Sequence, residues 1–134
     1  TEEGVKALLK KGGMRVQPYL IPMILPNMAA AAISRIWGIK GYSSTVITAC
    51  AAGTQAIGEG VELIRRGVSD VVVSGGTEAG ISEIGLAGFC VIHALSSRNH
   101  EPDKASRPFD MERDGFVPAE GAGIVILESL DHAL

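Results

Sequence analysis

Aromatic side chains are scarce in this sequence, which has one Trp, two Tyr and three Phe among its 134 residues. Basic residues are also outnumbered, because 12 Lys and Arg stand against 15 Asp and Glu and give a formal net charge of −3. Proteins that bind nucleic acid neutralise its phosphates with a basic surface. The charge balance therefore argues against nucleic acid as the main partner.

Long apolar runs are absent as well, since no stretch approaches the roughly 18 continuous apolar residues of a membrane span. The first residues, 1–4 (TEEG), lack the basic and then apolar pattern of a signal peptide. We therefore expect a cytoplasmic protein that does not associate with membranes.

Cysteine occurs only twice, as Cys50 and Cys90, and no CxxC or HxxxH spacing is present. The sequence therefore lacks the ligand spacing of a structural zinc site. The two cysteines would suffice for one disulfide, but free thiols are the expectation in a reducing cytoplasm. We expect neither a metal nor another cofactor, and we expect Cys90 to be a buried thiol.

Glycine is the residue in excess, with 17 of 134 positions, or about 13% against a typical ~7%. Hydrophobic residues make up 46% and charged residues 20%, which is typical of a globular protein, and the length allows one domain at most. A chain rich in Gly and Ala but poor in aromatics packs its backbones closely. This composition favours an α/β enzyme.

The first third of the chain predicts two helices with an irregular segment between them. Residues 2–11 form a helix with acidic residues first and basic residues last, as the helix dipole prefers. Three prolines exclude a regular helix over residues 14–26, whose apolar side chains we expect to be buried against a pocket or a subunit partner. Asn27 is expected to cap the next helix, which ends at Gly38.

The rest of the chain follows an α/β order. The predicted elements are a strand over 45–48, a helix over 50–66, a strand over 71–74 that ends at Gly75 and Gly76, a helix over 81–94, a long surface connection over 96–116, a strand over 123–128 and a helix that begins at Ser129. Three strands make an incomplete sheet. We therefore expect residues 1–134 to be one partial domain, truncated at both ends.

The helix over 50–66 contains Gly53, Gly58 and Gly60, and each glycine costs about 1 kcal/mol inside a helix. These glycines make sense if another backbone passes very close to the helix. Residues 75–77 (GGT) after a strand are also compatible with phosphate binding, but no GxGxxG or Walker lysine accompanies them. A tight turn that crowds Cys50 is the preferred interpretation of these residues.

Cys50 falls where the predicted strand turns into the helix over 50–66. A side chain at this position lies beside unpaired backbone N–H groups and the positive end of the helix dipole, and both favour a thiolate. The same N–H groups would stabilise an oxyanion on an attacked carbonyl, which suits acyl transfer. Since cysteine is also among the most frequently buried residues, position alone leaves a buried thiol open.

Residues 48–53 (TACAAG) closely resemble the nucleophile motif of the β-ketoacyl-acyl carrier protein synthases. Further blocks resemble the same family in the family's order and extend the resemblance over essentially the whole chain: 20–30 (LIPMILPNMAA), 75–79 (GGTEA), 85–89 (GLAGF), 95–99 (LSSRN), 101–110 (EPDKASRPFD) and 113–123 (RDGFVPAEGAG). The sequence is most similar to the synthase II type, which elongates medium and long acyl chains.

The resemblance implies the first half of a thiolase-like α/β fold with α-β-α-β-α layers, and a homodimer that serves fatty-acid synthesis. It also implies a reaction in two stages. Cys50 takes an acyl group from acyl carrier protein. Malonyl-acyl carrier protein then loses CO2, and the resulting carbanion attacks the thioester to give a 3-ketoacyl product.

Three further residues match functional positions of the family. Phe116 matches a phenylalanine beside the active site, while Leu25 and Phe89 match positions that line the acyl pocket of synthase II enzymes. Pocket walls and protein cores share a composition, so a plain role as core side chains stays open for Leu25 and Phe89.

The sequence also departs from the family pattern. The family uses two histidines, a lysine and a glycine-rich phenylalanine loop on later segments, and His93, His100 and His132 do not match those histidines. Pro118 and Ala119 replace the usual residues of their block. The 134 residues alone are therefore expected to condense nothing and at most to acylate Cys50 slowly. A polyketide-type ketosynthase and an inactive partner subunit or truncated product remain as alternatives.

The long connection and its end carry several acidic residues that would also suit acid–base or metal chemistry. We prefer a loop held by salt bridges with two arginines; the residues concerned are Asp110, Glu112, Asp114 and Glu120 with Arg107 and Arg113.

Overall fold

The computed structural model describes residues 2–134. Thr1, which belongs to the segment considered as a signal peptide, lies outside the described residues. The helices are α1 (Glu2–Lys11), α2 (Leu20–Ile24), α3 (Met28–Trp37), α4 (Ala52–Arg65), α5 (Glu83–Val91) and α6 (Leu130–Ala133), the strands are β1 (Val71–Glu78) and β2 (Gly121–Glu128), and short 3-10 turns occupy Gly13–Arg15, Ala49–Ala51 and Pro102–Lys104. None of the helices in the described part of the chain has the length and apolar character that crossing a membrane demands.

The chain divides into two compact units. The first contains Glu3–Thr77 and Ala122–Leu134. The second contains Glu78–Gly121 together with Glu2. Cys50 and Leu25 belong to the first unit, while Phe89 and Phe116 belong to the second.

The strands β1 and β2 pair into a two-stranded sheet. The amide of Ser129, just after β2, donates to the carbonyl of Asp70, just before β1, at 2.9 Å. In the middle of the strands, a Cβ on Gly75 would lie 2.9 Å from the Cα of Ile124. Position 70 therefore faces 129 and position 75 faces 124, which is an antiparallel register. The predicted strands over 71–74 and 123–128 are confirmed, and both are longer than predicted.

The prediction that Gly75 and Gly76 end the first of these strands is wrong, because β1 continues through them to Glu78. Gly75 has φ 150°, and a Cβ at this position would lie only 2.1 Å from the carbonyl oxygen of Gly123. The glycine lets the two strands approach where any side chain would collide with the ladder. It therefore serves strand pairing and does not form a turn.

The predicted strand over 45–48 is wrong, because no regular secondary structure is assigned to these residues. A β-branched run becomes a strand only when a neighbour completes its hydrogen bonds. Within residues 2–134, β1 and β2 pair with each other and neither pairs with 45–48. Ile47 is 70% exposed as a result.

The proline-rich segment differs from expectation in two ways. It contains the short helix α2, in which Pro22 is the third residue. The first turn of a helix has no acceptor for its N–H groups, so a proline there removes no hydrogen bond. The expected burial is also not seen among the described residues, since Ile21 and Met23 are 60% and 68% exposed. Burial of this segment against a subunit partner stays a prediction.

The predictions for the other helices are largely confirmed. Helix α1 has the predicted bounds, and α3 ends at Gly38, which adopts the left-handed conformation with φ 65°. Asn27 precedes α3 as predicted, but its side chain makes no capping hydrogen bond. Helix α5 is shorter than the predicted range 81–94, because the hydroxyl of Ser82 accepts from the amide of Gly85 at 3.1 Å and begins the helix there.

Apolar side chains are unusually accessible throughout the chain. It exposes 10612 Å², whereas a folded monomer of its mass exposes about 6,700 Å². Among residues 2–134, the one apolar side chain buried in a core is that of Ala105, and large residues such as Met14 and Phe109 are almost fully exposed. The hydrophobic effect, which is the main stabilising contribution to folding, is therefore small for this chain alone.

We expect the isolated 134-residue chain to lack a cooperative unfolding transition and to bind the dye ANS strongly. Too little apolar surface is buried to offset the conformational entropy lost on folding. Far-UV circular dichroism during a urea titration, together with ANS fluorescence, tests this. A single steep transition with no dye binding would show that the chain is stable without further protein covering its apolar side chains.

Candidate active site around Cys50

Cys50 lies in a tight turn directly before a long helix. The 3-10 turn Ala49–Ala51 leads into α4, and the amide of Ala51 donates to the carbonyl of Thr48 at 3.1 Å. Ala49 has φ 50°, a left-handed conformation that costs a residue with a side chain about 1–2 kcal/mol. Such strain is typical of functional sites, where the surrounding structure holds a residue in an unfavourable geometry.

The thiol of Cys50 is exposed and free, so the alternative of a buried thiol does not describe it. Cys90 is free as well, as expected, but it too is exposed, and the prediction that it is buried is wrong. The reason is that the described residues do not cover the side of α5 that carries Cys90.

The backbone N–H groups next to Cys50 are less available than the sequence suggested. The amide of Ala51 bonds to Thr48, and the amide of Ala52 bonds to the carbonyl of Ala49. The 3-10 turn thus uses two donors that a plain helix start would leave unpaired. The helix dipole is the other favourable feature that the sequence suggested, and it is present. Cys50 lies at the N-terminal end of α4, whose 14 residues align their peptide dipoles with the positive end towards it.

A close contact between two glycines sets the position of this helix. A Cβ on Gly76 in β1 would lie 3.2 Å from the Cα of Gly53, which stands three residues after Cys50. The strand backbone therefore packs directly on the first turn of α4, and the expected close approach at Gly53 is confirmed. The approach at Gly60 involves the side chains of Leu127 and Val72, whereas nothing lies within 4 Å of a Cβ on Gly58.

Residues Gly75–Thr77 belong to β1, which decides between the two interpretations of this segment. They do not form the loop that phosphate binding would need. They do not form the expected tight turn either. The expected crowding is present, because Gly76 packs against Gly53 in the helix that follows Cys50.

In the second unit, the rings of Phe89 and Phe116 meet edge to face, with centroids 5.1 Å apart and an interplanar angle of 83°. This geometry is the one that aromatic quadrupoles prefer. Leu25 in the first unit follows the last residue of α2. All three side chains are 44% exposed, so none of them is a core residue within the described chain.

Asp114 in the second unit is bonded to serines and not, as predicted, to an arginine. Its carboxylate accepts hydrogen bonds from the hydroxyl of Ser96 at 2.6 Å, and from the amide and the hydroxyl of Ser97 at 3.0 and 3.2 Å. These bonds, the Ser96 hydroxyl first, lower the pKa of Asp114 below its ordinary value. The stabilisation is present above the ordinary carboxyl pKa and is lost as the pH falls through the lowered one.

The predicted salt bridges of the loop are confirmed only in part. Asp110 lies 3.8 Å from Arg107, and its carbonyl accepts from the guanidinium of Arg113 at 2.9 Å. Asp114 is held by serines instead, and Glu120 accepts from the amide of Ile81 at 2.9 Å. No group of acidic, histidine or cysteine side chains within residues 2–134 is arranged to hold a metal ion.

Two of the three histidines lie in or next to helices, and His100 lies in a turn before the 3-10 turn Pro102–Lys104. His93 follows α5 with φ 56°, and His132 in α6 pairs with the carboxylate of Glu128 at 2.5 Å. The side chain of His132 is half exposed and takes part in this hydrogen bond.

Comparison with known proteins assigns a family to this arrangement. The sequence matches the family described as "Beta-ketoacyl synthase, N-terminal domain" over residues 1–133. It is 47% identical over 133 residues to 3-oxoacyl-acyl-carrier-protein synthase 2 of Synechocystis, and 50% identical over 127 residues to the synthase 2 of Rhizobium meliloti. These alignments cover 99% and 94% of this chain but 32% and 30% of the relatives, so the chain spans about a third of their length.

Solved structures give the same result. The chain superposes on a type II PKS ketosynthase, described in complex with its acyl-carrier protein, with a TM-score of 0.86 at 37% identity. It superposes on a β-ketoacyl synthase from Burkholderia phymatum with a TM-score of 0.82 at 35% identity. Each match covers 98% of this chain, and 35% and 32% of the respective structure. The partial thiolase-like α/β fold implied by the motifs is confirmed.

Proposed function

Because this chain belongs to the β-ketoacyl synthase family, we propose that it forms part of a 3-oxoacyl-acyl carrier protein synthase in which Cys50 is the acylated nucleophile. The observation that carries the proposal is the exposed, free thiol on a strained turn before α4. The proposed unit is residues 1–134 as part of the enzyme's N-terminal domain.

The first stage of the reaction is acyl transfer to Cys50. The sulfur attacks the thioester carbonyl of acyl-acyl carrier protein, a new thioester forms on Cys50, and the carrier thiol leaves with the proton of the cysteine. Cys50 lies at the N-terminal end of α4, so the sulfur attacks beside the positive end of the helix dipole.

The second stage is decarboxylative condensation. Malonyl-acyl carrier protein loses CO2, the carbanion forms a carbon–carbon bond with the acyl carbonyl, and the thiolate of Cys50 leaves. This step needs donors that stabilise oxyanions, and His93, His100 and His132 do not match the histidines that the family resemblance assigns to it. The isolated chain therefore supports the first stage only, as slow acylation.

We propose that Leu25 and Phe89 line the acyl pocket and that Phe116 lies beside the reacting groups. Their exposed apolar surface is available to an acyl chain, and each buried CH2 contributes about 0.8 kcal/mol. The contact between Phe89 and Phe116 supports a shared role for these two rings.

Replacing Phe89 by alanine is expected to raise KM for a long acyl-acyl carrier protein about tenfold, because the chain loses apolar contact area. The effect on KM for a short acyl group should be small. Steady-state kinetics with two chain lengths measure the difference, and Ile92→Ala, another exposed apolar residue close to α5, is the matched control. An equal rise in KM for both chain lengths would contradict the proposal that Phe89 lines the acyl pocket.

The proposed partners are acyl carrier proteins that carry acyl and malonyl groups, and a second copy of the same protein in a homodimer. A solved neighbour described as a ketosynthase in complex with its acyl-carrier protein supports the first of these. We propose a cytoplasmic location for the enzyme, while some of its relatives are named as chloroplastic.

A polyketide-type ketosynthase is the second candidate, and the likeness to a type II PKS ketosynthase favours it. Identities of 46–50% to synthases named for 3-oxoacyl products favour the first candidate. The two differ in product, since a fatty-acid synthase performs one condensation before the ketone is reduced and a polyketide synthase performs several in succession.

Mass spectrometry of the carrier-bound products tests the proposal and separates the candidates. The protein expressed from its complete reading frame is mixed with acyl- and malonyl-acyl carrier protein. We expect one 3-ketoacyl product that is two carbons longer than the acyl donor. Products from repeated condensation would indicate the polyketide type, and no product from a folded protein would indicate an inactive partner subunit.

A further inference from the structure

The segment that carries Phe116 is fastened to residues 94–98 by a dense set of polar contacts. Ser96 donates its backbone amide to the carbonyl of Phe116, and the amide of Phe116 donates to the carbonyl of Ala94, both at 3.0 Å. Leu95 and Phe116 form an isolated parallel bridge through these bonds. Two short segments that are about 20 residues apart in the chain are thereby aligned.

The carboxylate of Asp114 closes this arrangement on one side. Its two oxygens accept three hydrogen bonds from Ser96 and Ser97, and the hydroxyl of Ser96 in turn accepts from the amide of Arg98 at 3.3 Å. Every one of these donors belongs to the 94–98 segment. We call Asp114, Ser96 and Ser97 the aspartate clip.

Gly115 shows how closely the two segments fit. It has φ 144°, and a Cβ at this position would lie 2.4 Å from the carbonyl carbon of Leu95 and 2.5 Å from the amide nitrogen of Ser96. The backbone between Asp114 and Phe116 thus lies directly against the Leu95–Ser96 peptide. The carboxylate of Asp114 and the ring of Phe116 therefore stand on either side of this close approach.

We propose that Asp114 is a positioning residue, which holds the ring of Phe116 against Phe89 through the aspartate clip. The inference rests on the proposed function, since it assigns Asp114 a role in the reaction of that enzyme. Asp114 itself need not touch the substrate. Its contribution is to keep Phe116 in one orientation beside the reacting groups.

A double-mutant cycle in the complete protein tests whether Asp114 acts through Phe116. Asparagine at position 114 has one acceptor oxygen instead of two and turns an N–H2 group towards donors. Asp114→Asn is expected to lower kcat about tenfold. In the Phe116→Ala background the same change should have no further effect on kcat, because the ring that the clip orients is gone.

Additive losses in a folded double mutant would overturn the proposal, since a residue that only stabilises the fold acts independently of Phe116. Asp110→Asn is the matched control, because Asp110 lies in the same loop and bonds to the amide of Glu112. It should leave kcat unchanged. If Asp114→Asn does not fold, Ser96→Ala removes the shortest bond of the clip and enters the same cycle.

Hydrogen exchange followed by mass spectrometry tests, without relying on activity, whether the aspartate clip holds the two segments together. In Asp114→Asn, peptides that cover residues 94–98 and 114–117 should exchange at least about tenfold faster than in the unsubstituted protein. Unchanged exchange would refute the clip. Absence of condensation by the unsubstituted protein would instead refute the proposed function, so the two failures are distinguishable.

Discussion

Replacing Cys50 by alanine should reduce condensation by the complete protein by at least about 10³-fold, since removal of a catalytic nucleophile leaves only binding and oxyanion stabilisation. Without the sulfur, no covalent acyl-enzyme forms, and the carbanion therefore has no thioester to attack. The substitution removes one exposed atom and leaves the strained turn at Ala49 intact. The folded structure should therefore be preserved.

Cys90→Ala is the matched control for this experiment, because Cys90 is the other exposed, free thiol of the chain. Its removal should leave the rate of condensation within about twofold, as expected of a surface substitution. Rates are compared by mass spectrometry of 3-ketoacyl products, with circular dichroism to verify folding. Near-normal activity of Cys50→Ala would exclude the proposed mechanism.

Gly75→Ala is expected to have the largest effect on stability, with a loss of more than about 3 kcal/mol in the free energy of unfolding or a failure to fold. A Cβ at position 75 would lie 2.1 Å from the carbonyl oxygen of Gly123, and backbone atoms cannot move aside as a flexible side chain does. The left-handed φ of 150° adds strain for any residue other than glycine.

Gly121→Ala is the matched control, since Gly121 lies in the partner strand β2 and nothing stands within 4 Å of a Cβ there. The control should differ from the unsubstituted protein by less than about 1 kcal/mol. Urea denaturation of the complete protein gives both values. A Gly75→Ala protein with unchanged stability would show that β1 and β2 do not pair in the described register.

Local signals account for the parts of the fold that the sequence predicted. Helices α1 and α3 end where glycines follow them, and α4 begins at Ala52 within the nucleophile motif, because these boundaries depend on neighbouring residues. The strand-to-helix pattern likewise placed Cys50 at the start of a helix, before any motif was matched. Such features need no knowledge of what lies elsewhere in the chain.

The errors arise where distant backbone decides the outcome. Residues 45–48 have strand propensity but no pairing partner among residues 2–134, and Gly75 and Gly76 continue a strand because β2 lies against them. The spacing of three prolines does not predict the helix at Pro22, because a single proline in a first turn removes no hydrogen bond.

The role of Asp114 was missed for a similar reason. Its partners Ser96 and Ser97 are 18 and 17 residues away, and the arginines nearby suggested salt bridges instead. Charge spacing within a loop does not reveal which polar groups the loop folds against. One signal was available, because the two serines lie in one block that resembles the family, 95–99, and Asp114 lies in another, 113–123.

The acyl-enzyme at Cys50 is the most direct test of the account. The complete protein is incubated with acyl-acyl carrier protein in the absence of malonyl groups, digested, and its peptides are sequenced by mass spectrometry. The account predicts the mass of one acyl group on Cys50 and none on Cys90. Condensation that proceeds with no acyl group on Cys50, or with the group on another residue, would contradict it.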